Sequence, residues 1–317
     1  MARGGIPASP LPQRDGVDAV RLRMPQEGPW TTLRDHLVAR LPMPAAEVDR
    51  KLAEGEFAGP DGRPIPADAP FVPRSVVWVH RDLPDEVPVP FEVEVLHRDD
   101  RIVVVDKPHF LATMPRGRHI RETVLTRLRA QLGLPRLTPA HRLDRLTAGV
   151  LVLTTEQRWR GAYQQLFARG AAEKDYLAAA PTAPDLVFPR TVTLHLDKPR
   201  GALATRVVAG RPPNSETHVE VIEVRGDVAL YRLRPVTGRT HQLRAHLAWL
   251  GIPILGDPLY PEVRPDTPPD FSEPLALVAT RLGFRDPVDG HARVFESSRR
   301  PGPWALTGPK VGETTID

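Results

Sequence analysis

Residues 217–236, THVEVIEVRGDVALYRLRPV, decide the fold class. Two runs rich in Val, Leu and Tyr flank Arg225-Gly226-Asp227, and β-prone runs joined by a short Gly-containing turn read as an antiparallel hairpin. A second hairpin is written at 91–108, where FEVEVLH and RIVVVDKP flank Arg98-Asp99-Asp100. KDYLAAA (174–180) and TVTLHL (191–196) add strands, and GVLVLTT (149–155) is an apolar run suited to a buried strand. Helices are predicted over 121–132, over 155–169 with Thr155 as cap and Gly170 as stop, and over 240–250 with Thr240 as cap and Gly251 as stop. Hairpins outnumber strand–helix–strand units. The fold class is therefore α+β, a largely antiparallel mixed sheet with flanking helices around a cleft.

Upstream the pattern changes. Residues 1–24 are polar and rich in Pro and Gly, and read as a flexible tail. Residues 25–88 read as a small unit of two helices, a turn and a strand, SVVWVH. Arg34, Arg40, Arg50 and Lys51 lie on or beside its two helices and could meet phosphates, diluted by five neighbouring carboxylates. Pro84, Pro88 and Pro90 mark a linker, and residues 89–317 form the larger domain.

Composition excludes several chemistries. The 317 residues contain no cysteine, so disulfides, thiol catalysis and Cys-ligated metals are absent. No apolar run approaches the ~20 residues that span a bilayer, and the first residues lack the apolar core of a secretory signal. A cytoplasmic protein without a membrane partner is expected. Phosphate-cradling and serine-hydrolase signatures are missing, which argues against ATP, NAD and acyl-enzyme chemistry. His241 and His246 are five apart, about 140° around a helix, so no metal site is expected there. The chain carries a net charge of +4, yet residues 116–169 hold eleven arginines against Glu122, Asp144 and Glu156. A patch of net +8 suits a polyanionic partner, as well as a surface merely solvated by arginine.

Two segments concentrate chemistry. HRLDRLTAG, 141–149, crowds ionisable side chains against the start of a buried strand. Asp144 sits between Arg142 and Arg145, either as a catalytic carboxylate or as part of a salt-bridge cluster. TGRTHQLRAHLAWLGIPILGD, 237–257, places Arg239, His241, Gln242 and Arg244 at a helix start, where free N–H groups favour anions. Lys174-Asp175-Tyr176 is a weaker signal, equally readable as a core tyrosine.

In that order, DKP at 106–108, HRLDRLTAG, KDY and the 237–257 segment resemble the motifs of the RluA-type pseudouridine synthases, over roughly residues 90–300. The resemblance implies an isomerase that detaches the uracil of a uridine in RNA, turns it and rejoins it through C5, with neither cofactor nor metal. It implies Asp144 as the catalytic aspartate, Tyr176 as the aromatic platform for the flipped base and Arg244 as the partner of Asp144. Arg142, Arg145, Thr147, Arg239, His241 and Gln242 become RNA or substrate contacts, with Arg142 filling the space the uridine leaves. The outline of residues 25–88 is that of an alpha-L-like RNA-binding module or of a helical cap on the larger domain, and the resemblance favours the module; an rRNA or tRNA partner and a monomer are expected. The alternative is a non-catalytic RNA-binding or ribosome-assembly factor on the same scaffold. Ser215-Glu216-Thr217 and Val278 depart from the family pattern, which usually has Ala-x-Thr and a histidine there.

Overall fold

A computed structural model describes residues 9–83, 85–265 and 270–304. Residues 1–8 of the expected tail, Pro84 of the expected linker and residues 305–317 of the expected larger domain lie outside them. The chain divides into two compact units, Met1–Glu86 and Val87–Asp317.

The N-terminal unit contains β1 (Val20–Arg23), α1 (Leu33–Arg40), α2 (Ala45–Ala53), β2 (Phe57–Ala58) and β3 (Val76–Val79). The three strands form an antiparallel sheet in the order β1-β3-β2. Thr32 caps α1 in a reciprocal box: its hydroxyl accepts from the Asp35 N–H, and the Asp35 carboxylate accepts from the Thr32 N–H. Pro44 precedes α2, and Gly55 takes a left-handed φ of 70° just beyond it. Met24, Leu33, Leu37, Val48, Leu52, Phe57, Val77 and Val79 make the core. The reading of 1–24 as a flexible tail is corrected for its last residues. Val20–Arg23 pairs with Val76–Val79, and Met24 is buried. Val20, Leu22 and Met24 form a period of two that is too short to stand out among arginines.

The C-terminal unit is built on one large mixed sheet. Its strands are β4 (Glu94–Arg98), β5 (Ile102–Lys107), β6 (Thr138–Pro139), β7 (Ala148–Thr154), β8 (Ala172–Pro181), β9 (Arg190–Leu194), β12 (Ser215–Arg225), β13 (Val228–Pro235), β14 (Leu277–Arg285) and β15 (Ala292–Glu296). A separate pair, β10 (Leu196–Asp197) and β11 (Arg206–Val207), lies outside it. The order is β4-β5-β7-β14-β8-β13-β12-β9, with β15 on β14 and β6 on β7. Among the described residues only β7 and β14 run parallel. Both expected hairpins form: Val228 opposes Arg225, and Val103 opposes Arg98.

Every residue of β5 and β7 is buried, which is why both read as continuous apolar runs. Their alternate side chains serve two cores. Val103, Val105, Leu151 and Leu153 pack with Leu125 and Leu128 of α3 (Val124–Leu132). Ile102, Val104, Val150 and Val152 pack with Tyr163 and Leu166 of α4 (Gln157–Ala168).

Two helix caps differ from expectation. Thr155 donates its hydroxyl to the Asp100 carbonyl, and α4 begins at Gln157 with Glu156 at the cap. The last helix, α5, spans Gln242–Trp249 and is entered from His241 in a left-handed conformation (φ 55°), not from Thr240. The Thr240 carbonyl is taken by the Thr205 hydroxyl.

Candidate active site

The loop before β7 carries Asp144. It is held from beneath by Lys107, the last residue of β5 and fully buried. The Lys107 ammonium donates to the carbonyls of Pro108 (2.9 Å), Leu111 (2.7 Å) and Arg145 (3.1 Å). Burial pulls its pKa well below the ordinary lysine value, with Asp144 opposing that shift. The loop is pinned further by the Thr113 hydroxyl, which donates to the Leu143 carbonyl, and by the Thr147 N–H, which donates to that of Asp144. Asp106, also buried, accepts from the Ser297 hydroxyl (2.8 Å) and from Arg299 Nε (3.1 Å).

Arg244 arrives from α5. Its guanidinium is buried and grips Asp257 with two hydrogen bonds, Nε to Oδ2 at 2.7 Å and Nη2 to Oδ1 at 2.6 Å. Nη1 faces Asp144 Oδ2 at 3.6 Å. Burial works against the arginine's charge, but Asp257 and then Asp144 outweigh it and raise its pKa. The guanidinium also lies 5.3 Å from the Tyr260 ring. The Tyr260 hydroxyl ties to Thr205, accepting from its N–H (2.7 Å) and donating to its carbonyl (3.0 Å).

The cleft in front of Asp144 holds about 340 Å³ and is lined by Arg142, Asp144, Thr147, Lys174, Tyr176, Arg239, His241, Gln242 and Arg244, among others. Of the residues lining it, Asp144 is the only carboxylate. Tyr176 comes from β8, and burial first, then the nearby Asp144 charge, pushes its hydroxyl pKa upward. It therefore stays protonated at neutral pH. His241 stands 3.9 Å from Asp144, and burial lowers its pKa to about 4, so at neutral pH that contact is not an ion pair.

Eight of the nine expected site residues line this cleft. Arg145 does not; its side chain borders an adjoining cavity of about 560 Å³ that shares Asp144, His241 and Arg244. Gln242 lines the cleft, but its amide is spent internally. Oε1 accepts from the Thr237 hydroxyl and the Arg239 N–H, and Nε2 donates to the Glu216 carbonyl and the Thr217 hydroxyl. It fixes α5 to β12 in place of the substrate contact expected of it. Asp257 and Tyr260 were not singled out from the sequence. Asp257 closes the 237–257 segment, and a carboxylate there was the available signal.

Comparison with known proteins agrees with this geometry. The model of the RNA pseudouridylate synthase family matches residues 101–249. The dual-specificity RNA pseudouridine synthase RluA of Escherichia coli K12 is 33% identical over 211 residues, which cover 64% of this chain and 91% of that protein. The chain belongs to the RluA-type pseudouridine synthases. Human pseudouridylate synthase RPUSD2 is 35% identical over 195 residues, 58% of this chain but 33% of that longer protein. The mitochondrial tRNA pseudouridine(32) synthase of Saccharomyces cerevisiae is 34% identical over 192 residues, 57% of this chain and 39% of that one. The solved structure of human RNA pseudouridylate synthase domain containing 1 superposes with a TM-score of 0.53 at 26% identity, covering 67% of this chain and 86% of that one. As a pseudouridine synthase the chain is an isomerase, and the cleft carries the carboxylate, arginine and tyrosine that the sequence motifs implied.

Proposed function

We propose that this pseudouridine synthase acts on a uridine of structured rRNA or tRNA in the cytoplasm, as a monomer and with no metal among its partners. Asp144 is the carboxylate that acts at the ribose, as nucleophile on C1′ or base at C2′. Tyr176 stacks on the flipped base, Arg244 orients Asp144, and Arg142, exposed at the cleft mouth, enters the space the base leaves. A flipped nucleotide must leave its stack at a cost of a few kcal/mol, which aromatic and guanidinium contacts offset. The N-terminal unit adds RNA contacts of its own.

The observation that carries this reading is the single carboxylate of the cleft, Asp144, facing an Arg244 that Asp257 keeps charged. A protein that only bound RNA would have no need of that pair beside Tyr176. The test is to map pseudouridines in total RNA from a strain lacking the protein, complemented with the parent or with Asp144→Asn. Sites should vanish with the gene, return with the parent and stay absent with the variant, while the variant binds RNA within about tenfold of the parent. Sites restored by Asp144→Asn would overturn the assignment.

A further inference from the structure

Along β8 successive side chains point to opposite faces of the sheet. Glu173 and Asp175 turn to one face, where Arg281 lies 3.3 Å from Glu173 and Arg234 lies 2.6 Å from Asp175. Lys174 and Tyr176 turn to the other and line the Asp144 cleft. The carboxylates nearest Lys174 in sequence are thus occupied on the far face. Each other described lysine has a partner: Lys51 has Glu56 and Asp82, Lys107 three carbonyls, and Lys198 the Leu203 carbonyl. The Lys174 ammonium makes no hydrogen bond and no ion pair among the described residues.

Its surroundings offer no hidden counter-ion. His141 packs on Phe167 with ring centroids 4.3 Å apart, and both line the same cleft. Burial, with Lys174 adding to it, holds the His141 pKa at about 3, so the ring is neutral, and its Nε2 already accepts from the Val152 N–H. Burial alone lowers the pKa of Lys174. A half-buried ammonium without an anion loses hydration and gains nothing in return.

We propose that Lys174 is a phosphate-binding residue of the cleft, which holds a phosphate of the RNA strand next to the uridine on Tyr176. The proposal rests on the RNA-isomerase reading and extends it to a residue that reading left without a role. An RNA strand entering the cleft brings full negative charge, which a neutral uracil carbonyl lacks, and a charge-assisted hydrogen bond to phosphate compensates the ammonium. Two residues along a rigid strand from Tyr176, that bond fixes the sugar–phosphate relative to the stacking ring.

The experiment is an NMR titration of the full chain with uridine, uridine 5′-monophosphate and uridine 3′-monophosphate, for the parent, Lys174→Met, Lys174→Arg and Asp144→Asn. One of the two monophosphates should bind the parent about tenfold more tightly than uridine, and which one identifies the phosphate. Lys174→Met should erase that preference with uridine affinity unchanged and a thermal midpoint no lower than the parent's. Lys174→Arg should retain most of it. The proposal is overturned if the parent shows no preference, if Lys174→Met keeps it, or if uridine itself weakens as much as the monophosphate. Asp144→Asn should keep the preference. If that variant also kept isomerising, the functional reading would fall while the phosphate contact stood.

Discussion

Arg244 faces two carboxylates and treats them unequally. Asp257 receives both parallel hydrogen bonds, and Asp144 is left at 3.6 Å. Asp257 thereby fixes the plane of the guanidinium, and the remaining nitrogen orients Asp144 without neutralising it. On the proposed function, Asp257 acts through Arg244 as a positioning residue. Removing one partner of a buried pair leaves the other charge uncompensated, at a cost of about 3–5 kcal/mol. Asp257→Asn should therefore lower the free energy of unfolding by about that amount in denaturant titrations. It should also slow single-turnover isomerisation more than it weakens RNA affinity, because the freed guanidinium swings toward Asp144. A variant with parental stability and rate would show that the bidentate pair does not position the site. The Tyr176 hydroxyl, held protonated at the cleft wall, leads to a second expectation. Tyr176→Phe keeps the ring face and should retain RNA affinity, so a fall in rate alone would locate the hydroxyl in the proton transfers.

Three strand ends converge beneath the site. Lys107 of β5 pairs with Gly149 of β7, and Gly149 pairs in turn with Ala279 of β14, which also opposes Tyr176 of β8. β14 thus joins the strand that carries Asp144's loop to the strand that carries Tyr176. The close approach depends on glycine: Gly149 has φ of 112°, and a Cβ there would sit 2.1 Å from the Ala279 carbonyl oxygen. Gly149→Ala should destabilise the unit by more than the ~1–3 kcal/mol of backbone strain alone, seen as a lower midpoint in thermal unfolding; an unchanged midpoint would contradict the parallel pairing. The two hairpins, the α+β class and the strand under Asp144 were legible because their apolar residues are local and continuous. β14 was not read, although LVATRLGF precedes a DPVDG turn, because its place between β7 and β8 is a long-range pairing that local pattern does not encode. The cap at Thr155 misled because its hydroxyl finds a tertiary partner, the Asp100 carbonyl, that competes with capping; the last helix is entered one residue beyond Thr240, from a left-handed His241. At the site, HRLD and HQLR were visible as charge in sequence. The role of Asp257 was not, since a pairing 13 residues apart appears only when α5 and the following loop fold together.

At the scale of the chain, two properties emerge that no single element shows. Burial holds His109, His241 and His246 near pKa 4 and His141 near 3, below the ~6.5 of an unfolded chain. The unfolded state then binds more protons, so this contribution is fully present above about pH 6.5 and is lost progressively as pH falls toward 4. Denaturant midpoints should decline as pH falls from 6.5 to 4; a midpoint that rises on acidification through that range would contradict the neutral histidines. The second property is the division into units with separate cores. Each core is complete within its own unit, so residues 87–317 should fold when residues 1–86 are deleted. The cations expected to meet RNA from the N-terminal helices are mostly committed: Arg34 to Asp49, Arg50 to Glu47, Glu54 and Glu56, and the buried Lys51 to Glu56 and Asp82. Arg40 lies over the Trp30 ring, and Arg21 and Arg23 on β1 make no ion pair among the described residues. Arg14, Arg74 and Arg81 of the same unit also make no ion pair among the described residues, so six arginines of this unit have charge not committed to a carboxylate. Each contact contributes about 0.7–0.9 to the slope of log affinity against log salt. Deletion of residues 1–86 should flatten that slope by at least one such contribution and weaken RNA binding, while the single-turnover rate at saturating RNA stays near the parent's. A truncated enzyme that melts normally and keeps the full slope would remove the N-terminal unit from RNA binding. Replacing Arg14, Arg21, Arg23, Arg40, Arg74 and Arg81 together by Gln in the full chain should reproduce the flattened slope, because these are the cations of the unit that no carboxylate engages among the described residues.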